Sequence, residues 1–155
     1  MAATKHLRDA EALHEAGRLD GCAYLAGYVV ECSLKAVLLH DRSWDPTVGP
    51  NGQHVAAKLA AVHMQLRKAP YGHDLVHLAS QQLGAEGAKY WPDLTPGNVT
   101  QGVHLRAVLD WKETLRYRGE DPQTDRAALR ASSYLGWAAE VHARAIVEMR
   151  LDGVL

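Results

Sequence analysis

The longest unbroken helical pattern in the chain runs from Asp20 to Asp41, DGCAYLAGYVVECSLKAVLLHD. At 3.6 residues per turn it covers about six turns. At roughly 100° per residue, Leu25, Val29, Cys32, Ala36 and Leu39 make one apolar stripe, which Ala26, Val30 and Val37 widen. Leu34 and Leu38 fall near the opposite side, so most of the circumference is apolar and a buried central helix is predicted. One seam departs from this. Tyr24, Tyr28, Glu31 and Lys35 fall at i, i+4, i+7 and i+11, within about 60° of one another. A carboxylate and an ammonium on such a helix must be paired, reach an edge or serve a site, because a lone buried charge is very costly.

Before this helix, Leu7, Ala10, Leu13 and Ala16 share one face, predicting a helix from Thr4, as N-cap, to Ala16. Gly17 ends it, and the link Gly17-Arg18-Leu19 is short enough to predict an antiparallel hairpin with the central helix. Arg42 to Gly52, with two prolines and two glycines, reads as a loop. Helical spacing returns from Gln53 to Lys68 through Val55, Leu59, Val62 and Leu66, and Ala69-Pro70-Tyr71-Gly72 stops it. His73-Asp74 opens a further helix with Leu75, Leu78, Ala79 and Leu83 on its apolar face, closed by Gly84. Ala85 to Thr100 is irregular, with Trp91-Pro92 and Pro96-Gly97 as turn markers. A fifth helix is expected from Val103 to Tyr117, carrying Leu105, Val108, Leu109, Trp111 and Leu115, and Arg118 to Pro122 breaks it. The last helix starts at Gln123 or Thr124 and runs to Leu151, with Ala127, Ala128, Ala131, Leu135, Ala138, Val141, Ala145 and Val147 at helical spacing. Small residues on that face let helices approach closely.

These elements predict an all-α, up-and-down bundle of four to five main helices, one domain over residues 1–155. Hydrophobic content of 47% and charged content of 23% are ordinary for a soluble globular chain. A net charge of -1 excludes a global field that would draw in nucleic acid or an anionic membrane, while a local basic patch stays open. Glu, Lys and Tyr interrupt every apolar run short of a membrane span, and MAATKHLRDAEALHEAG lacks the apolar centre of a signal peptide. A cytoplasmic protein with no membrane contact is the expectation. Cys22 and Cys32 are ten residues apart on one helix, about 15 Å at 1.5 Å per residue, beyond disulfide reach. They read as reduced core residues.

Several local patterns together resemble a known family. AYLAGYVVECSLKA (Ala23 to Ala36), HDL (His73 to Leu75), Trp111 followed by Arg116-Tyr117, and a long terminal helix are similar to HEPN-domain proteins, over residues 4–150. The resemblance implies an up-and-down bundle of four to five helices, usually a homodimer. It also implies a role beside a minimal nucleotidyltransferase, as in many toxin–antitoxin modules. The active toxins of this family are metal-independent ribonucleases bearing an Arg, four to six residues, then a His. Here Arg116 and Arg118 supply the start, but Gly119 to Asp125 contain no His, and the next one is His142. The chemistry needs that His as general acid/base and the Arg to stabilise phosphorane-like charge. The resemblance therefore points to a nucleotide- or RNA-associated module without catalysis. Its rivals are a ribonuclease whose acid/base has moved to Glu120, Asp121 or His142, and a pure protein-interaction module.

The candidate ligand-binding residues follow from these patterns. Glu31 and Lys35 serve either a site or an i, i+4 ion pair at the core edge, with the Tyr24 and Tyr28 hydroxyls meeting the remaining acceptors. His73, Asp74 and His77 place two imidazoles at i, i+4, a spacing metal sites use. Two histidines fall short of the three protein ligands of a catalytic zinc site, so no metal and no cofactor are expected. His73 instead suits a helix start beside Asp74. Arg116, Tyr117 and Arg118 either grip phosphate with Tyr117 stacked on a base, or pair with the acidic loop Glu120-Asp121. Arg106, Arg126 and Arg130 would extend this to a basic cluster around the same turn, and only the fold decides whether they converge. Trp111 and Trp137 are expected in the core or at an interface, Trp44 and Trp91 in loops. Ser132, Ser133 and Gly136 make a small-residue face suited to dimer contact or internal packing.

Overall fold

In the computed structural model, the described residues are 2–45, 47–48, 53–67, 73–75, 78, 111 and 125–151, with backbone alone at 125–128, 148 and 151. Their elements are α1 (Ala2–Glu15), α2 (Leu19–Ser43), β1 (Trp44–Asp45), β2 (Gln53–His54), α3 (Ala56–Leu66) and α4 (Asp125–Leu151). The fold is all-α, with one small two-stranded sheet. The helices expected over 74–83 and 103–117 lie outside the described residues apart from Asp74, Leu75, Leu78 and Trp111.

The α1–α2 link forms as the glycine demands. Gly17 takes φ 71°, its N–H donates to the His14 carbonyl at 3.0 Å, and the Arg18 N–H donates to the Leu13 carbonyl at 2.8 Å. That pair of bonds is a Schellman cap, and the left-handed residue reverses the chain. Thr4 is not the N-cap expected of it. The helix begins before it, and its hydroxyl is spent on a long-range contact to His142. Ala3 and Ala10 are buried and Leu7 and Leu13 pack against the core, whereas Ala16 is exposed.

α2 is the buried centrepiece, but its deepest face is shifted from the centre of the expected stripe. Val29 of that stripe and the flanking Ala26, Val30 and Val37 are buried, together with Ala23, Leu34 and Leu38, whereas Leu25, Cys32, Ala36 and Leu39 are only half-buried. With apolar residues nearly all round, periodicity alone could not say which side would meet α1 and α4. By length and composition α2 is also apolar enough to cross a membrane, contrary to the sequence reading; 61% of that window is buried inside the protein. Contacts along α4 fix its direction. His14 and Thr4 of α1 meet Ser132 and His142, while Cys22 and Ser33 of α2 meet Ala131 and His142. The α4 helix therefore runs antiparallel to α1 and parallel to α2. Ala131, Ala138, Val141 and Ala145 are buried in that contact, as the alanine-rich face predicts, but Val147 is 52% exposed. Ser132, Ser133 and Gly136 are exposed as well.

The loop expected from Arg42 is shorter than predicted. Ser43 Oγ donates to the Leu39 carbonyl at 2.5 Å within the last turn of α2, and Trp44 then turns to extended backbone at φ -70°, ψ 135°. Trp44 pairs with His54 and Asp45 with Gln53, antiparallel. Asp45 precedes Pro46 in the sequence, a position that favours extended geometry. α3 consequently starts at Ala56 rather than Gln53, with Val62 and Leu66 buried.

Gly27 has a packing reason inside α2, where glycine costs about 1 kcal/mol relative to alanine. A methyl group there would overlap the indole of Trp111, which is 5% exposed and donates Nε1–H to the Tyr24 carbonyl at 3.1 Å. The small side chain lets the ring lie against the helix backbone. Gly27→Ala should lower stability by about 1–3 kcal/mol through overpacking, read as a shift in the urea midpoint, with Trp111 emission altered in the native baseline.

Candidate functional site

The ionic seam of α2 is the most chemically loaded place among the described residues. Glu31 is buried, and each carboxylate oxygen has a partner. Oε1 accepts from Lys35 Nζ at 2.5 Å, and Oε2 faces His73 Nδ1 at 2.9 Å. The carboxylate orients the imidazole with its Nδ1–H toward Oε2. The i, i+4 pair is thus present, and its second oxygen is met by His73. The phenol rings pack beside it. Tyr28 is the hub of an aromatic cluster, with Tyr24 at 5.0 Å, Trp111 at 5.5 Å, His6 at 5.9 Å and His73 at 6.1 Å between centroids. Edge-on contacts of this kind add to apolar burial.

Of the residues predicted for a site, Glu31, Lys35 and His73 converge. Asp74 is exposed, and its carbonyl accepts from the Leu78 N–H at 2.8 Å, which starts a helical turn. Arg116, Tyr117, Arg118, His77, Glu120 and Asp121 lie outside the described residues. No group of three or more His, Cys, Asp or Glu side chains suited to a metal occurs among the described residues. Both cysteines are free, and burial pushes the Cys22 thiol up to about 11, which leaves it unreactive.

Two further polar clusters escaped the sequence reading. Ser33 Oγ donates to the Val29 carbonyl at 2.7 Å, so its oxygen faces His142 Nδ1–H, 3.4 Å away, and His142 Nε2 faces the Thr4 hydroxyl at 3.1 Å. His142 is 5% exposed, and burial holds its imidazole below the ordinary value. The signal was Ser33, a hydroxyl on the apolar face of α2. At the foot of α2, His54 Nδ1 lies 2.6 Å from Ser43 Oγ, and the rings of His40, Trp44 and His54 sit 5.1–5.5 Å apart. Burial, then the neighbouring His40, lowers the His54 imidazole as well. No pattern in the chain marks this corner, because it forms only when β1 meets β2.

No protein-family model matches the chain, and no solved structure matches it significantly. The chain is similar to the chaperone SurA of Albidiferax ferrireducens, 31% identical over 113 residues, covering 64% of this chain and 24% of that protein. The chain thus spans about a quarter of the length of this relative.

Glu31→Gln should lower stability by about 1–2 kcal/mol, since it weakens charged hydrogen bonds to two partly exposed bases. A thermal melt checks this. Because burial depresses the His142 imidazole, its contribution to stability is complete above the unfolded value near 6.5 and is lost as pH falls below it. The melting temperature should drop between pH 7 and pH 5, and His142→Gln should flatten that drop.

Proposed function

We propose that this chain is an HEPN-like binding module for a phosphate-bearing ligand, a nucleotide or RNA, and is not itself a ribonuclease. The observation that carries the reading is the Glu31–Lys35–His73 cluster, in which one buried carboxylate holds two more exposed bases beside an aromatic cluster. Such a group can meet a phosphate with charge-assisted hydrogen bonds. The resemblance of its local patterns to HEPN domains supports the ligand class, and adds the proposal of a cytoplasmic homodimer acting beside a nucleotidyltransferase, as in toxin–antitoxin modules.

The absence of catalysis has its own support. His142 is the one displaced acid/base candidate among the described residues, and it is buried between Thr4 and Ser33, where no substrate reaches it. A general acid/base must approach the proton it transfers within hydrogen-bond reach. The similarity to a protein named as a chaperone supports a second reading, an interaction module whose ligand is another polypeptide.

Incubation of the purified chain with labelled RNA and a chelator separates these readings. A complex that weakens with salt, and no cleavage, is the expected result. Cleavage would overturn the non-catalytic reading, and neither complex nor cleavage would favour the polypeptide-binding one.

A further inference from the structure

We infer that α1 is a releasable helix: a proton taken up at His142 loosens its hold on α2 and α4, and α1 comes away at the Gly17 turn while the rest of the bundle stays folded. Little apolar surface holds α1. Of its fourteen residues Ala3 and Ala10 are buried, with Leu7 and Leu13 partly packed on the core, whereas α2 buries thirteen of twenty-five. Regions with few buried apolar contacts open at a lower cost than the whole protein. The link favours the same motion. Gly17, at φ 71°, stands between the two helices, so α1 can leave without breaking a turn of α2. A helix of this length is marginal in water by itself, so once released it frays.

His142 is the bolt across the three helices. From α4 its Nδ1 faces Ser33 of α2 at 3.4 Å and its Nε2 faces Thr4 of α1 at 3.1 Å. The Ser33 hydroxyl donates to the Val29 carbonyl, so Nδ1 carries the proton of the neutral ring and Nε2 accepts from Thr4. A proton arriving at Nε2 turns Thr4 from donor to acceptor and leaves an imidazolium at 5% exposure. Among the described residues no carboxylate bonds to that ring. On α1 Asp9 pairs with Lys5, on α4 Glu140 pairs with Arg144, and on α2 Glu31 is met by Lys35 and His73. His6 of α1 packs on Tyr28, and Arg8 is exposed. The amino terminus acts on the ring, and its positive charge adds to burial in disfavouring the proton. A proton therefore favours the state in which α1 has moved off and water reaches His142. The other tie between α1 and α4, His14 Nε2 to Ser132 Oγ at 2.9 Å, is exposed, and a hydroxyl can serve either form of that ring. It sits beside the Gly17 turn, so the amino-terminal turns of α1 leave first.

Hydrogen exchange of the full chain, followed amide by amide from pH 7 to pH 5 and corrected for intrinsic exchange, tests this. Amides of α1 from Leu7 onward should be less protected than those in the middle of α2 at every pH. Their protection should fall by up to about tenfold per pH unit below 6.5, the ordinary imidazole value, because opening takes up one proton. His142→Gln should remove that dependence from α1. Should the variant fail to fold, the Cε1–H resonance of His142 in the native chain decides, since the fall must level off at the pH where that resonance titrates. Equal protection of α1 and α2 means that α1 opens only with the whole protein, and overturns the inference. So does an α1 whose protection ignores pH, a variant with an unchanged slope, or a resonance that titrates while the fall continues.

Discussion

A carboxylate on a helix that is apolar nearly all round has to be met by positive charge, and that requirement organises the middle of this protein. Glu31 lies on the turn after Tyr28, at 5% exposure, where an unpaired charge would cost several kcal/mol. Lys35, one turn on, meets one oxygen. The other oxygen is met by His73, forty-two residues away in the chain. The interaction that makes Glu31 tolerable therefore also draws residues 73–75 and 78 against α2, where Leu75 and Leu78 become part of the core. A structural need and a candidate binding cluster are the same three side chains. A group held this firmly by its neighbours is already oriented before a ligand arrives.

The rest of the core follows a similar rule at lower charge. Where α1, α2 and α4 meet, the His142 imidazole is buried between the hydroxyls of Thr4 and Ser33. Such bonds contribute modest net stability but are expensive to leave unmade, so they fix the register of packed helices. Small residues do the complementary work. Gly27 admits the Trp111 indole against the backbone of α2, and Ala131, Ala138 and Ala145 bring α4 close. The exposed Ser132, Ser133 and Gly136 show that not every small residue on α4 is used inside the protein. The two imidazoles differ in the same way: His142 is buried in the core, while His73 is half-exposed at its edge.

Much of this was legible in residue order, and the misses have physical causes. The four described helices follow from apolar spacing, and Gly17 marks its turn because only a left-handed residue lets α1 reverse so tightly. Glu31, Lys35 and His73 stand out separately, the first two as charges on an oily helix and the third at the head of a helical pattern. Their meeting was not legible, since no local period connects positions 31 and 73. Thr4 looked like a cap because threonine at a helix start usually is one. It lost that role to a histidine on α4. The two-residue strands β1 and β2 are too short to show any alternation, and they exist because their backbones find each other.

The sequence by itself determined that the chain is helical, where α1, α2, α3 and α4 fall within a few residues, and that α2 is the buried one. Those properties depend on neighbours within one or two turns, and local hydrophobic spacing encodes them. Only the tertiary structure decided which face of α2 lies deepest, which way α4 runs, and which distant partner neutralises Glu31. Each of these depends on how apolar surfaces and a few buried polar atoms are satisfied together, and that is a property of the assembled core.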